Sequence, residues 1–395
     1  MFIINTTYLD KDFHLVKGDL QIENGRITAC GPHLPRNDGD TAIDAADYTI
    51  VPGFVDVHIH GCDGADTCDG APEALEKMAR FLLAHGVTSF CPTTMTVDRP
   101  TIEKALLAAK SVHESPIEDG AKVAGVNMEG PFISAARKGA QREDDIVAPD
   151  FQMFRELFDL SGGLVKLVDV APEQPGGEDF VKRAKELCRV SIAHTTADYN
   201  TAKESFDWGI THATHLFNAM NGLHHRDPGV VGAVFDDERV RAEIICDGQH
   251  IHPAVLKTAF RLMGDRLLII SDSMRANGMP EGTAYDLGGQ MVTVSGGKAV
   301  LEDGTIAGSV SNLHQEVKNL VSWGVPLETA VKSASLIPAL QIGLDKEIGS
   351  IEPGKYADLV ILDKDLEISA VWISHGRETQ CAVKNCLLYT SPSPR

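Results

Sequence analysis

The sequence predicts an α/β protein, a (β/α)₈ TIM-type barrel with a small β-sandwich domain formed by the N- and C-terminal segments. Eight apolar strand candidates alternate with helical periodicity through the middle of the chain. Short β-like segments lie at both ends. A length of 395 residues suffices for a barrel with an attached smaller domain.

The predicted small domain combines residues 1–50 with residues 346–386. Asn24-Gly25 lies between two strand-like runs, and this pair suits the two positive-φ positions of a tight hairpin turn. Further β-like runs occur at 357–362 and 371–373. We therefore expect the two ends of the chain to pair in one sheet domain. Residues 387–395 contain Ser-Pro repeats, which cannot join a sheet interior, so we expect a disordered or non-native tail there.

The predicted barrel spans residues 51–345 and is the catalytic domain. Helical periodicity separates many of its strands, as in 74–82 and 151–160. The strand candidates are 54–60, 87–91, 123–129, 165–170, 190–194, 212–217, 240–246 and 267–272. Because the carboxyl ends of barrel strands meet at one face, polar residues at these ends are expected to share one site.

The first strand candidate ends in a His-x-His motif. Side chains alternate along a strand, so His58 and His60 point the same way, with Asp56 behind them. Two imidazoles at a strand end can hold a metal ion, although an isolated pair of this kind is more often an ordinary feature of a strand.

Further candidate ligands follow the later strands. Glu129 ends the third, His194 the fifth, and His215 lies in the sixth. Imidazole and carboxylate ligands suit a divalent transition metal, zinc or iron in particular. These three side chains would leave one position open for water, whose pKa the metal lowers. His58 and His60 could hold a second ion with Glu129 as the bridge, so one or two ions per subunit are expected.

Each candidate also has a plainer interpretation. A single histidine is more often a hydrogen-bonded structural residue, but five candidate ligands at one barrel mouth favour a metal site. Cys62 and Cys68 lie near the His-x-His motif, yet small core or loop cysteines are the favoured interpretation.

Asp272 ends the strongly apolar eighth strand, where a buried carboxylate needs a polar partner. There it can act as the general base and acid of the reaction, or it can simply cap a helix or turn. Arg226 could bind a phosphate with His250 and backbone amides near Ala219, or it could be a surface arginine.

The composition excludes some classes of partner. A formal net charge of −20 opposes binding to nucleic acid or to an anionic membrane. The eight cysteines form no C-x-x-C pair, which favours reduced thiols and a cytoplasmic location. The apolar run at the N-terminus is too short for a signal peptide, and no stretch approaches transmembrane length.

Several motifs together resemble the N-acetylglucosamine-6-phosphate deacetylases of the amidohydrolase superfamily, over about residues 1–386. The motifs are Pro52-Gly53-Phe54-Val55-Asp56-Val57-His58-Ile59-His60-Gly61, Met128-Glu129-Gly130-Pro131-Phe132, His215-Leu216-Phe217-Asn218-Ala219-Met220, Asp247-Gly248-Gln249-His250, Ser271-Asp272-Ser273-Met274, Ala307-Gly308-Ser309 and 349–360. The last motif is common to many amidohydrolases, whereas those around Glu129 and His215 are narrower.

The resemblance implies roles for individual residues. It assigns the catalytic metal to Glu129, His194 and His215, and the acid–base role to Asp272. It assigns the sugar phosphate to Asn218, Ala219, Arg226 and His250. One departure is Gln141, where many members carry a substrate-binding histidine; glutamine can hydrogen-bond but cannot become cationic.

The resulting hypothesis is metal-dependent hydrolysis of N-acetyl-D-glucosamine 6-phosphate in amino-sugar catabolism, and the resemblance implies a homodimer. Two alternatives stay open. One is another amidohydrolase, acting on a cyclic amide, in deamination or on a different N-acetyl sugar phosphate. The other is a sugar-phosphate-binding protein without turnover.

Overall fold

The structure is a computed structural model that describes residues 1–375 and 378–381. Its strands, numbered along the chain, are β1 Phe2–Leu9, β2 Leu15–Glu23, β3 Arg26–Gly31, β4 Ala42–Asp44, β5 Thr49–Pro52, β6 Phe54–Ile59, β7 Gly61–Cys62, β8 Ala65–Asp66, β9 Val87–Thr94, β10 Lys122–Val123, β11 Val126–Met128, β12 Val165–Val170, β13 Arg189–Ile192, β14 His212–Ala213, β15 Arg241–Ile244, β16 Leu267–Ile269, β17 Ala284–Leu287, β18 Gln290–Ser295, β19 Lys298–Val300, β20 Leu359–Leu362, β21 Ile368–His375 and β22 Glu378–Cys381. Its α-helices are α1 Pro72–Ala84, α2 Arg99–Glu114, α3 Phe151–Leu160, α4 Gly177–Ala184, α5 Tyr199–Trp208, α6 Gly229–Asp236, α7 Pro253–Met263, α8 Leu313–Ser322, α9 Leu327–Ala334 and α10 Leu336–Gln341.

The predicted barrel is confirmed. Parallel strands follow one another in chain order as β6, β9, β11, β12, β13, β14, β15 and β16. The third position also includes β10, which pairs with β9 before a short interruption. A parallel bridge between Ile59 and Ser273 closes the ring, and the Asp272 N–H donates to the His58 carbonyl at 3.0 Å.

A helix follows each barrel strand and covers it with apolar side chains. In α3, Phe154 and Leu157 face the core, and Asp150 caps the helix by accepting backbone N–H groups. Helix α1 instead begins with Pro72 in its first turn, where a missing N–H costs nothing. Both helices fall where the sequence predicted helical periodicity.

The separate sheet domain is confirmed as well. Its strands run in the order β22-β21-β20-β5-β1-β2-β3, with β4 beside β1, so hydrogen bonds join both ends of the chain in one sheet. The predicted turn at Asn24-Gly25 connects β2 to β3, and both residues have positive φ. The domain limits at 50, 345 and 386 stay predictions, and the tail at 387–395 lies outside the described residues.

Two features differ from the sequence prediction. The sixth and eighth strands end earlier than predicted, at Ala213 and Ile269, because the backbone turns into the left-handed region at His215 and Asp272 and interrupts the regular strand. In addition, β17, β18 and β19 form a three-stranded antiparallel sheet that the sequence analysis did not predict. Within the described residues, no helix combines the length and apolarity needed to cross a bilayer.

Candidate metal centre

The candidate ligands lie at the carboxyl-terminal mouth of the barrel. His58 belongs to β6, and His60 follows that strand directly. Glu129 follows β11, whereas His194 and His215 lie two residues beyond β13 and β14. This placement is the one that the alternating strand pattern predicts.

Three of these side chains stand on strained backbone. His194, His215 and Asp272 have φ angles of 41°, 27° and 45°, in the left-handed region that non-glycine residues rarely occupy. Each such residue costs about 1–3 kcal/mol and persists only where its surroundings enforce it. The three turns bring side chains from separate strands into one cluster.

One group of donors consists of Glu129, His194 and His215. The Glu129 Oε1 atom lies 3.0 Å from His194 Nε2 and 2.9 Å from His215 Nε2. The two imidazole Nε2 atoms are 3.1 Å apart. All three residues are buried, and their ligand atoms are close enough to share one ion.

The second group consists of His58, His60 and Asp272. Asp272 Oδ1 lies 3.2 Å from His60 Nε2 and 3.6 Å from His58 Nε2. Glu129 joins the groups, because its Oε2 atom lies 3.2 Å from His60 Nε2 while its Oε1 atom faces the first group. A carboxylate in this position can bridge two ions.

The hydrogen bonds of the imidazole rings determine which ring nitrogen faces the cluster with a lone pair. His194 Nδ1 lies 2.8 Å from the Arg137 carbonyl and His60 Nδ1 lies 3.2 Å from the Thr93 carbonyl, so both nitrogens donate. In the neutral rings the Nε2 atoms then carry lone pairs that face carboxylate oxygens. His58 Nε2 is buried with no hydrogen-bond partner among the described residues. A cation satisfies these converging lone pairs, so the donor set fits a divalent transition metal.

The charges of the cluster agree with that fit. Burial alone would raise the pKa of Glu129, but His58 and His194 hold it well below its usual range. Burial likewise opposes ionisation of Asp272, yet its hydrogen bond to His60 lowers the pKa. Burial lowers the pKa of His60, but hydrogen bonds to Asp272 and Glu129 outweigh this and raise it to about 10. A metal ion must therefore displace a proton, which couples binding to pH.

A cavity of about 180 Å³ opens onto the cluster. The predicted site residues that line it are His60, Glu129, Gln141, His194, His215, Asn218, Ala219, His250 and Asp272. Asp247 orients His250 through a 2.8 Å contact with Nδ1, leaving the other ring nitrogen available. Asn218 donates to the His215 carbonyl, and the Ala219 N–H has no acceptor among the described residues.

Two predicted site residues lie elsewhere. His58 is fully buried behind the cavity wall, although its ring faces the same cluster. Arg226 is exposed on the loop before α6, where its guanidinium contacts the His225 ring, and it is not among the residues that line the cavity. Its predicted contact with a phosphate stays a prediction.

Gln141 has a structural partner in the cluster. Its Nε2 atom donates to Glu129 Oε2 at 2.6 Å, while its Oε1 atom accepts the Thr96 N–H at 2.7 Å. Gln141 also lines the cavity, so its predicted contact with substrate stays a prediction.

Sequence reasoning missed two sets of residues. Leu287 and Ile306, from the unpredicted β17–β19 region, line the cavity; the Gly288-Gly289 turn was a usable hairpin signal. Glu243 and His212 are fully buried and contact the candidate ligand His58 directly or through each other. The signal there was a charged residue within an apolar barrel strand.

The nearby cysteines follow the favoured interpretation. Cys62 is buried, and Cys68 accepts the Met95 N–H. Burial raises the pKa of both thiols, which keeps them protonated. Neither residue belongs to the two donor groups among the described residues.

Comparisons with known proteins agree with this geometry. A model of the amidohydrolase family matches residues 49–385. An N-acetylglucosamine-6-phosphate deacetylase of Bacillus subtilis (strain 168) is 38% identical over 362 residues, 89% of this chain and 90% of that protein. An N-acetylgalactosamine-6-phosphate deacetylase of Escherichia coli O157:H7 is 36% identical, over 90% of this chain and 93% of that protein. Among solved structures, a mutant N-acetyl-D-glucosamine-6-phosphate deacetylase from Mycobacterium smegmatis in complex with N-acetyl-D-glucosamine-6-phosphate superposes with a TM-score of 0.89 at 31% identity, covering 97% of this chain and 99% of that one.

Proposed function

The chain belongs to the amidohydrolase family, and on that premise we propose that it hydrolyses N-acetyl-D-glucosamine 6-phosphate to D-glucosamine 6-phosphate and acetate. The observation that carries this proposal is the convergence of two metal-type donor groups on one cavity, with Asp272 at its wall. Relatives that carry this activity in their names match about nine-tenths of the chain.

Glu129, His194 and His215 would hold a catalytic zinc or iron ion, and His58, His60 and Asp272 fit a second ion. When bound, such an ion polarises the acetyl carbonyl and lowers the pKa of water. Glu129 would connect the two groups, because its Oε1 atom faces both His194 and His58 while its Oε2 atom faces His60.

Asp272 supplies the acid–base function. Its carboxylate lies at the cavity wall and is held by His60 at 3.2 Å. Since its pKa is lowered, it is ionised near neutral pH and can accept the proton of the attacking water. The same group then returns this proton to the departing amine.

The rest of the cavity wall would orient the sugar. Asn218 and the N–H of Ala219 present hydrogen-bonding groups beside His215, and His250 faces them with its orientation fixed by Asp247. His250 can contact either the acetyl carbonyl or the phosphate.

Arg226 would bind the phosphate, but its exposed side chain must first be brought to a cavity. The guanidinium is outside the cavity of its own chain, so either the loop moves or Arg226 reaches the cavity of a second subunit. We propose a homodimer, in which the second arrangement is possible. The reduced state of the described cysteines is compatible with a cytoplasmic location.

The galactosamine epimer is a second candidate substrate, because one relative of comparable identity is named for it. Steady-state release of acetate from both epimers, with metal analysis of the same sample, tests the proposal. Turnover of either sugar phosphate supports deacetylation and identifies the preferred epimer. Tight binding of both without acetate release would indicate the binding protein that the sequence left open.

A further inference from the structure

We infer that Glu243 is a positioning residue. Its carboxylate holds the Nδ1 side of the His58 ring, so that the Nε2 atom is free to bind a metal ion. This inference rests on the proposed function, since it assumes that the cluster holds a metal centre. Glu243 lies in β15 and is fully buried. Within the described residues, Glu243 neither lines the cavity nor belongs to a donor group, so it acts through the residues that it contacts.

The two carboxylate oxygens of Glu243 have separate partners. Oε2 lies 2.9 Å from His58 Nδ1 and accepts the backbone N–H of His215 at 3.2 Å. Oε1 lies 3.0 Å from His212 Nε2, and the other nitrogen of that ring contacts Gln341 Oε1 at 3.1 Å. Gln341, His212 and Glu243 thus form a buried chain of hydrogen bonds that ends at the His58 ring.

This arrangement decides which nitrogen of His58 is free. A carboxylate beside Nδ1 retains the proton there, so the lone pair of the neutral ring is on Nε2. The Nε2 atom is buried, faces Glu129 and Asp272 at 3.6 Å, and has no hydrogen-bond partner among the described residues. A buried nitrogen without a partner is destabilising, and an ion in the second donor group would satisfy it.

His58 differs in this respect from its neighbours. His60 and His194 donate to backbone carbonyl groups of Thr93 and Arg137. Among the described ligand imidazoles, His58 alone has a carboxylate behind it, which makes the ring a stronger donor to a cation. Because Glu243 also holds the backbone of His215, it connects a ligand of the second donor group to the strand that carries a ligand of the first.

A metal titration separates positioning from a purely structural role. Apo-protein prepared with a chelator is titrated with Zn²⁺, and bound ions are counted by elemental analysis. We expect two ions in the wild type. Glu243→Gln keeps the shape but removes the charge, so the affinity for the ion held by His58 should fall about 10–100-fold, the usual effect of losing such a partner. Glu316→Gln is the matched control, because Glu316 is equally buried and accepts the Cys246 N–H, but it belongs to neither donor group among the described residues.

A double-mutant comparison tests whether Glu243 affects the second ion through His58. In a His58→Gln background, Glu243→Gln should cause no further loss of affinity for the second ion. If Glu243→Gln fails to fold, Glu243→Asp keeps the charge but withdraws it from His58, so the second ion should again bind more weakly. Wild-type affinity for both ions in these variants would overturn the inference. A wild type that binds a single ion would overturn it too, while acetate release would still support the proposed deacetylation.

Discussion

Gln141 donates a 2.6 Å hydrogen bond through its side-chain amide to the carboxylate of Glu129, which contacts both donor groups. The Thr96 N–H fixes the other end of the same amide at 2.7 Å. Gln141 is therefore placed to hold the Glu129 carboxylate in position. This geometry adds a second possible role to the substrate contact expected from the sequence.

We predict that Gln141→Ala weakens metal binding, because Glu129 loses the group that holds its Oε2 atom. Loss of such a partner typically lowers metal affinity by about 10–100-fold. Zn²⁺ titration of the apo-variant measures the effect, and Gln152→Ala, at an exposed position of α3, is the control. Unchanged metal affinity with a higher KM would show that Gln141 serves the substrate instead.

Removal of the metal should abolish activity. The centre combines several buried nitrogen and carboxylate donors, and without a cation their lone pairs face one another. We expect acetate release to stop after chelation and to return with Zn²⁺ or Fe²⁺. Full turnover in protein shown to be metal-free would refute the metal mechanism.

Arg226→Ala should raise KM for the phosphorylated sugar far more than for its unphosphorylated analogue. The lost charge-assisted contact is worth about 1.5–3 kcal/mol. An equal effect on both substrates would argue against phosphate recognition by Arg226.

An experiment with mixed dimers tests whether Arg226 serves the cavity of its own subunit or that of the second subunit. A mixed dimer of Arg226→Ala and Asp272→Asn subunits contains one cavity with an intact Asp272 and an intact Arg226 on the opposite chain. Recovered activity in the mixture would support a contact across the interface. Without recovery, the contact lies within one chain or does not exist.

Glu316 should make stability depend on pH. Burial raises its pKa well above the usual value, with Asp247 adding to the effect, so the folded protein favours the uncharged form. The contribution of Glu316 to stability is fully present when the pH is below the ordinary pKa of glutamate. It is lost as the pH rises through the raised pKa that Glu316 has in the folded protein. Glu316→Gln stays uncharged, so we expect its unfolding midpoint to exceed that of the wild type by about 1–4 °C at pH 8 and to match it near pH 4. Exposed Glu204→Gln is the control. An equal difference at both pH values would contradict this account.

The sequence predicted the barrel and the grouping of the ligands because one rule converts order along the chain into position in space. Polar residues at the carboxyl ends of parallel strands must meet at one face, so Glu129, His194 and His215 could be placed together without coordinates. The paired termini followed from alternating patterns and from the turn signal at Asn24-Gly25.

Other features depend on tertiary structure that the pattern does not encode. The left-handed turns at His215 and Asp272 leave the apolar periodicity unchanged, so the predicted strands ran too far. Glu243 is hidden within a strand, and its role depends on which side chains from other strands surround it. The exposed position of Arg226 is likewise set by the conformation of a loop. The sequence motif indicates that this residue can bind an anion, but it does not predict where the loop places the side chain.

The most direct test of the account is turnover by Asp272→Asn with its metal content measured in the same sample. The variant nearly keeps the shape of the side chain but cannot accept a proton from water. We predict that it folds normally and keeps the ion held by Glu129, His194 and His215, while acetate release from N-acetyl-D-glucosamine 6-phosphate falls by about 10²–10⁴, the usual scale of general acid–base catalysis. Near-wild-type turnover by a variant with full metal content would contradict the account and place the proton transfer on another residue.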